Sequence, residues 1–470
     1  MAASCTGASG SPIIAAGFVA FLVLLFFSSS SAASSSASAG GGGAGSNGTR
    51  VAFQSGEELI RWQRIVAELN RVRNVSVKTI ESPDGDVIDC VPTHQQPAFE
   101  HPKLRGHKPE SEPSERPRSS SVHSDADASA TADGNVEQGL PQAWTLSGES
   151  CPEGTIPVRR TTEADVLRAS SVRRFGMKAR GSGGFARRDS TGSGHEVGHL
   201  TCWTPVMITE TDVDVHCAVV DGVVQHAVGY VSGGSFYGAK ASLNVWPAQV
   251  ASQTEFSLSQ IWVISGAFGN DLNTIEAGWQ VSPQLYGDNS PRFFTYWTND
   301  AYRETGCYNL FCAGFVQTSN RVVAGAAISP ISSYAGRQFD ITILIWKDPK
   351  QGHWWLQLNG ALVGYWPSQL FTHLGARADM VQFGGEVAAA ATPHHTTTQM
   401  GSGRFAAEGY ARAAYFRNAQ VVDWDNGLVP AAGLRLLADR PECYDIAGAT
   451  GGAWGVYFYY GGPGRNVRCP

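Results

Sequence analysis

From about residue 223 to residue 470 the chain is a succession of short apolar runs separated by Gly, Pro, Asn and Asp. The runs at 339–346, 353–358 and 456–460 are rich in β-branched and aromatic side chains. Runs of this length between turn residues predict β-strands, and no long helical pattern interrupts them. We therefore predict an all-β fold for this part, an antiparallel β-sandwich or barrel large enough to bury a substantial core.

The N-terminus carries an apolar run of fifteen residues at 13–27. A bilayer-spanning helix needs about 20 apolar residues, so this run is short for a span. It precedes Ala37-Ser38-Ala39, a small-x-small pattern that suits signal peptidase. We predict a signal peptide over 1–39 and a secreted protein of the extracellular space, cell wall or vacuole, without stable membrane association. The alternative is a signal anchor that stays in the membrane.

The cysteines favour the same compartment. Of nine cysteines, Cys5 would leave with the signal peptide, and the remaining even number is typical of oxidising surroundings. No two are spaced as Cys-x-x-Cys, so nothing indicates a redox motif or a zinc ribbon. Cys307 and Cys312 flank a short loop, and Cys443 and Cys469 are candidates for joining the C-terminal strands. Spacing alone does not fix this connectivity.

Order and low complexity alternate in the first half of the chain. Apolar spacing over 53–78 predicts a small amphipathic helix, and 87–91 is typical of a strand. Residues 103–140 are rich in Pro, Ser and Asp and almost lack large apolar side chains, which predicts a disordered linker. A further helix is predicted over 163–172, ahead of a Gly- and Ser-rich stretch at 176–194.

Charge and motifs exclude several function classes. Residues 224–470 carry 15 basic and 16 acidic side chains without a basic patch, so nucleic acid is not an expected partner. There is no GxSxG elbow and no P-loop. The string at 195–199 fits HExxH, a zinc motif that needs His195 and His199 on one face of a helix. Because three glycines crowd this string and Pro205 follows, we interpret it as an exposed loop and predict neither metal nor cofactor.

Two glutamates stand apart from the other acidic residues. Glu276 and Glu386 lie in apolar and glycine-rich surroundings without a basic neighbour in sequence. A buried carboxyl is costly unless it is paired or protonated. Two that face each other would share one proton, so that one activates water and the other protonates an amide during hydrolysis at acid pH. The alternative is that each is a structural glutamate hydrogen-bonded to backbone.

Several longer motifs point to a known family. In the first half they are Ser82-Pro83-Asp84-Gly85-Asp86, Asp89-Cys90-Val91-Pro92 and the run 151–157. In the second half they are 237–241, 257–262, 276–279, 306–309, 346–349, 398–403, 415–418 and 461–466. On these motifs the chain resembles the plant neprosin family, secreted glutamic endopeptidases with an N-terminal activation region.

The resemblance implies a β-sandwich of two curved antiparallel sheets, with Glu276 and Glu386 as the catalytic pair. It also implies cleavage next to proline, for which Trp279 and Tyr296 are candidates to hold the flat pyrrolidine ring; both have core packing as the alternative. The chain's own propeptide is the implied inhibitor, loosened by acid pH and removed by proteolysis between Arg174 and Val224.

These observations divide the chain into a signal peptide (1–39), an activation region (53–102), a disordered linker (103–140), a second activation segment (141–175), an insertion (176–222) and a catalytic β-sandwich (223–470). One departure from the family is Phe383-Gly384-Gly385, where Trp-Gly-Gly is expected.

The predicted function is that of an acid-active glutamic endopeptidase made as a zymogen, whose substrates are proline-containing peptides or proteins. The alternative is a non-catalytic extracellular protein that binds peptide or polysaccharide. Carboxyl groups lying far apart, or each satisfied by its own backbone donors, would favour the binding protein.

Overall fold

The computed structural model of the chain describes residues 56–119, 142–169, 171–178, 223–450 and 452–470. The predicted signal peptide, the string at 195–199 and most of the predicted insertion lie outside the described residues. Three helices are present in the described ranges: α1 (Gly56–Val75), α2 (Glu163–Leu167) and α3 (Pro283–Tyr286). None of them has both the length and the apolar character needed to cross a membrane.

The strands come in two groups along the chain. The part before residue 178 contributes β1 (Lys78–Glu81), β2 (Val87–Pro92), β3 (Arg118–Ser119) and β4 (Thr155–Arg159). The C-terminal part contributes β5 (Val223–Phe236), β6 (Gly238–Asn244), β7 (Phe256–Ser265), β8 (Asn273–Val281), β9 (Arg292–Thr298), β10 (Val316–Gln317), β11 (Asp340–Lys347), β12 (Trp354–Leu358), β13 (Ala361–Trp366), β14 (Ala378–Ala389), β15 (Ala414–Val422), β16 (Gly427–Pro430), β17 (Arg435–Ala438), β18 (Asp445–Thr450) and β19 (Val456–Gly461).

In the activation region, β1, β2 and β4 form a small antiparallel sheet. The disulfide Cys90–Cys151 joins β2 to the turn before β4. Helix α2 starts at a capping box between Thr162 and Asp165 and ends at Leu167, five residues before the predicted end. The sheet docks on the C-terminal part through Asp86, whose carboxylate lies 2.6 Å from the buried guanidinium of Arg292.

The C-terminal part is a sandwich of two antiparallel sheets, which confirms the predicted all-β class. The larger sheet has the order β10-β13-β12-β11-β6-β15-β16, with β18 and β19 attached through β15 and β3 at its edge. The smaller sheet has the order β17-β5-β14-β7-β8-β9. Their facing sides build one apolar core that includes Ile261, Ala277 and Phe383 from the smaller sheet and Ile343, Ile345 and Leu356 from the larger.

Alternation along the strands decides which side chains leave this core. Successive residues of a strand point to opposite faces of the sheet. On β8, Ile275, Ala277 and Trp279 belong to the core between the sheets, so Glu276 points to the outer face of the smaller sheet. Trp279 is fully buried, and its indole N–H donates to the carbonyl oxygen of Asn244 at 2.9 Å.

Residues 103–119 differ from the prediction of a disordered linker. They lie on the outer face of the larger sheet, where Leu104 is fully buried and Ser114 donates hydrogen bonds to Asp348. Strand β3 then pairs in parallel with β16. The composition of the segment predicts disorder because its own apolar side chains are few, but the sheet supplies the apolar surface on which it packs.

Candidate active site

Glu276 and Glu386 lie on the same outer face of the smaller sheet. Glu276 is on β8 and Glu386 on β14, with β7 between these two strands. Both carboxyl groups are fully buried. The structure therefore brings together two acidic residues that are 110 positions apart in sequence.

A lysine from the start of the predicted insertion bridges the two carboxylates. Lys178 Nζ lies 2.7 Å from Oε2 of Glu276 and 3.0 Å from Oε2 of Glu386. Burial alone would lower the pKa of this lysine, but the two carboxylates raise it above its ordinary value. The side chain is an ammonium ion, and it neutralises a pair that would otherwise repel in a dry site.

Glu276 is held by neutral side chains. Gln260 Nε2 donates to its Oε2 at 2.8 Å, while Thr274 Oγ1 and Tyr302 Oη donate to its Oε1 at 2.8 and 2.5 Å. All three donors are side-chain groups, so this glutamate is not a structural residue tied to backbone. Among the described groups that contact the carboxylate of Glu276, Lys178 is the one cation, and the others are neutral hydrogen-bond donors.

Glu386 has a different environment because a histidine lies beside it. His226 Nε2 is 3.7 Å from Oε2 of Glu386, and His226 Nδ1 is 3.0 Å from Oδ2 of Asp439. Burial alone would lower the pKa of His226, but these two carboxylates raise it to about 9, so the ring is an imidazolium. Burial likewise would raise the pKa of Glu386, and the charges of Lys178 and His226 hold it below its usual value.

Residues 171–178, the blocking segment, deliver Lys178 to the site. The ring of Phe175 packs against Phe311 with a centroid distance of 5.1 Å, and the carbonyl oxygen of Gly176 accepts a hydrogen bond from Tyr308 N–H at 2.8 Å. Gly176 has φ of +72°, and a Cβ there would lie 2.8 Å from Cβ of Phe311, so only glycine fits.

Tyrosine side chains surround the pair, including the predicted residue Tyr296. Its hydroxyl accepts a hydrogen bond from the backbone N–H of Lys178 at 3.2 Å. Its ring packs against Tyr308 and Tyr302, at centroid distances of 4.8 and 5.7 Å. Trp279, the second predicted substrate contact, does not join this group because it points into the core on the opposite face of β8.

Both candidate disulfides are present in the structure. Cys307–Cys312 closes the loop that carries Tyr308 and Phe311, and Cys443–Cys469 joins the C-terminal segments. In the part of the chain that the structure describes, one group of metal-ligand types is close together, His395 with Cys443 and Cys469. Both cysteines are bonded to each other, so this group is not a metal site.

Sequence reasoning missed Lys178 and His226. Lys178 stands at the start of a Gly- and Ser-rich stretch, where nothing local marks it as buried. His226 stands in an ordinary strand, and its partner Asp439 is 213 positions away. The one usable signal was chemical: two buried carboxylates need a cation, and the sequence offered no adjacent one.

The fold and the site together define a β-sandwich whose buried glutamate pair is blocked by a lysine from an N-terminal region. The family model "Neprosin activation peptide" matches residues 79–200, and the family model "Neprosin" matches residues 253–463. The chain belongs to the neprosin family. It carries the activation peptide of that family, and Lys178 is part of that peptide.

Solved structures with a similar arrangement include Scytalido-glutamic peptidase with a peptide-based transition-state analogue, at a TM-score of 0.29 and 11% identity over 52% of this chain and 98% of that one. SCP-B, a member of the Eqolisin family of peptidases in complex with the tripeptide Ala-Ile-His, has a TM-score of 0.28 and 10% identity over 52% of this chain and 98% of that one. Similarities at this level do not bear on function.

Proposed function

We propose that the chain is the zymogen of a secreted, acid-active glutamic endopeptidase that cleaves peptide bonds next to proline. The observation that carries the proposal is the bridge from Lys178 of the activation peptide to both Glu276 and Glu386. A lysine in this position neutralises the catalytic pair and occupies the space that a scissile amide needs. The alternative of a binding protein is less well supported, since the two carboxylates share one cation and Glu276 is held by side chains.

The environments of the two glutamates support different roles once Lys178 has left. Two adjacent carboxylates hold one proton between them at acid pH. The imidazolium of His226 stays beside Glu386 and favours its ionised form, so we assign Glu386 as the base and Glu276 as the acid. Oε1 of Glu386 is buried and has no hydrogen-bond partner in the described part of the chain, which leaves it available to a water molecule.

Hydrolysis then proceeds by general acid–base catalysis. Glu386 takes a proton from water as the water oxygen bonds to the carbonyl carbon, and the carboxyl group of Glu276 donates to the carbonyl oxygen. In the tetrahedral intermediate Glu386 gives its proton to the amide nitrogen as the C–N bond breaks. The ionised Glu276 takes a hydroxyl proton as the new carbonyl group forms, so that Glu386 is again ionised and Glu276 again protonated.

Proline preference and secretion are the finer parts of the proposal. Tyr296, Tyr302 and Tyr308 present aromatic rings beside the pair, a surface that suits the flat ring of proline. The three disulfides in the described residues support an oxidising compartment, as secretion provides.

Full-length protein incubated at acid pH and assayed on a proline-containing peptide tests the proposal. Replacing Glu276→Gln or Glu386→Gln should each lower kcat by about 10²–10⁴-fold with the fold intact, because each removes one proton-transfer group. Glu442→Gln, at an exposed glutamate, is the matched control. Equal behaviour of all four proteins would reject the pair.

Chelation separates the proposal from metal chemistry. Activity should be unchanged by EDTA, because the proposed water activation uses carboxylates only. Loss of activity with EDTA would point instead to His195 and His199.

A further inference from the structure

Three aromatic side chains form a row on the outer face of the larger sheet, away from the glutamate pair. Trp346 on β11 lies opposite Trp355 on β12, which lies opposite Tyr365 on β13. Their ring centroids are 6.4 and 4.6 Å apart along the row. All three are fully buried. Because side chains alternate along a strand, Trp346 and Trp355 point to the face opposite that of Ile345 and Leu356, which meet the smaller sheet.

The activation peptide covers this aromatic row with residues 104–119, here called the covering segment. Pro109, Pro113 and Pro117 recur every fourth residue and are half-buried, whereas Lys108 and Glu112, each directly before a proline, are exposed. The stretch from 107 to 117 has neither helix nor strand and is bent at 111, 112 and 114, so its backbone is not engaged in the regular hydrogen bonds of a helix or sheet. Its carbonyl groups are therefore free to bond to a partner.

The sheet provides donors for those carbonyl groups. Trp346 Nε1 donates to the carbonyl oxygen of Glu115 at 3.1 Å, and Asn426 Nδ2 donates to that of Arg116 at 3.2 Å. At the other end, Tyr365 Oη accepts from the N–H of Glu110 at 3.1 Å. Aromatic rings with an N–H or O–H at their edge, bonded to the backbone of a proline-rich segment, are the usual means of recognising such chains.

One donor of the row is left unused by the covering segment. Trp355 Nε1 is buried and has no hydrogen-bond partner in the described part of the chain. A longer or better-placed peptide would satisfy it, so the covering segment is not the best ligand that this surface can have.

Removal of the activation peptide, matched at 79–200, would leave three aromatic side chains exposed side by side. Contiguous exposed apolar surface of this kind generally marks a binding site. We propose that the aromatic row is a binding site for extended proline-rich peptide, occupied in the full-length chain by the covering segment and in the processed enzyme by proline-rich parts of the substrate away from the scissile bond. The second half of this inference rests on the proposed function, since the row becomes free only on activation.

The first half is tested without any cleavage. In full-length protein, Pro109, Pro113 and Pro117 are changed together to Ala to weaken the covering segment, and a fluorescent peptide with the natural sequence 105–119 is added at pH 7. We expect iodide to quench Trp346 and Trp355 more strongly than in the unchanged protein, and the peptide to bind this variant about tenfold or more tightly than the unchanged protein. The matched control changes the exposed residues Lys108, Glu112 and Arg116 to Ala, and should behave like the unchanged protein.

Three results would overturn the proposal. The first is a folded triple-proline variant whose tryptophans are no more accessible. The second is equal binding of a peptide with the three prolines replaced by Ala. The third is binding of a β-glucan oligosaccharide at the opened row with no binding of the peptide, which would make the row a polysaccharide site.

The second half is tested on acid-processed protein. The peptide 105–119 should raise KM for a long proline-rich polypeptide several-fold without changing kcat, and should leave cleavage of a short proline peptide unaffected. Equal inhibition of both substrates would mean binding in the catalytic cleft and reject the separate site. Absence of any cleavage would count against the proposed function alone, because the binding experiment on full-length protein does not depend on it.

Discussion

The two sheets of the sandwich carry opposite chemistry on their outer faces, and the activation peptide contacts both. On the smaller sheet it inserts one buried ammonium group between two buried carboxylates. On the larger sheet it covers three aromatic side chains with prolines and backbone groups. The first contact is electrostatic and the second mainly apolar, so the same peptide is held in place by two forces that respond differently to pH.

The difference extends to the ionisable groups of each contact. At the glutamate pair each charge has an opposite partner, and the lowered pKa of Glu386 keeps the ion pair at pH values below the ordinary pKa of a glutamate. At the aromatic row the ionisable side chains are His107 and His353, with ring centroids 5.6 Å apart and near Lys347, Glu110 and Asp348. These histidines are neutral in the closed state, and acid charges them.

The largest effect is expected from removing the cation of the first contact. Lys178→Met leaves two buried carboxylates without a partner, and breaking a buried ion pair costs about 3–5 kcal/mol. We expect the blocking segment to lose protection from hydrogen exchange and the unprocessed protein to cleave a proline-containing peptide at acid pH. Lys103→Met, at an exposed lysine of the same peptide, is the control. A variant as well protected as the unchanged protein would show that the bridge does not hold the segment.

A smaller effect is expected at the second contact. Burial, and then the neighbouring His107 and Lys347, lower the pKa of His353 to about 4. A histidine with a lowered pKa in the closed state binds fewer protons there than when released, so closure weakens as pH falls from about 6.5 towards 4. His353→Phe keeps the ring but cannot charge, and should move the release of the covering segment to lower pH by up to about 1 unit.

This shift is measured by iodide quenching of tryptophan during acid titration, with His94→Phe, at an exposed histidine, as control. Burial and Asp348 raise the pKa of Glu110, which acts in the opposite direction and makes the net shift smaller. An unchanged release profile in His353→Phe would place the whole pH response at the glutamate pair.

The smallest effect is expected from a substitution that tests whether Glu276 and Glu386 have different roles. Asp439→Asn removes the charge that holds His226 as an imidazolium, so the pKa of Glu386 should rise. We expect the acid limb of the pH profile of kcat/KM to move up by about 1 unit with KM little changed. Asp379→Asn, at an exposed aspartate on β14, is the matched control. A shift of the alkaline limb alone would instead make Glu386 the acid.

The sequence was sufficient for the class of fold and for the two acidic residues, but not for what surrounds them. Glu276 and Glu386 were recognisable because a carboxyl among apolar and glycine residues is rare and costly. The lysine was not, because its burial depends on a cleft built by β7, β8 and β14, which no local pattern around Lys178 records. Trp279 does not face the site because it is three positions from Glu276 on β8, and residues three apart on a strand point to opposite sides of the sheet.

The segment 103–119 shows that composition alone does not predict whether a segment is ordered in the folded protein. Its few large apolar residues predict disorder, but the surface that orders it comes from β11, β12 and β13, more than 200 positions away. The recurrence of proline at 109, 113 and 117 was the available signal, and it becomes meaningful only beside an aromatic row.

The disulfide Cys90–Cys151 has a consequence for how inhibition ends. The covering segment follows the first cysteine and the blocking segment follows the second, with residues 120–141 between them in sequence. After cuts both in that stretch and between Lys178 and β5, the disulfide would leave the two segments on one covalent body, a bivalent inhibitor whose second contact re-forms at an effective concentration of about millimolar. Dissociation would then require both contacts to open together, and a thiol reductant, by separating them, would speed the activation of the nicked protein.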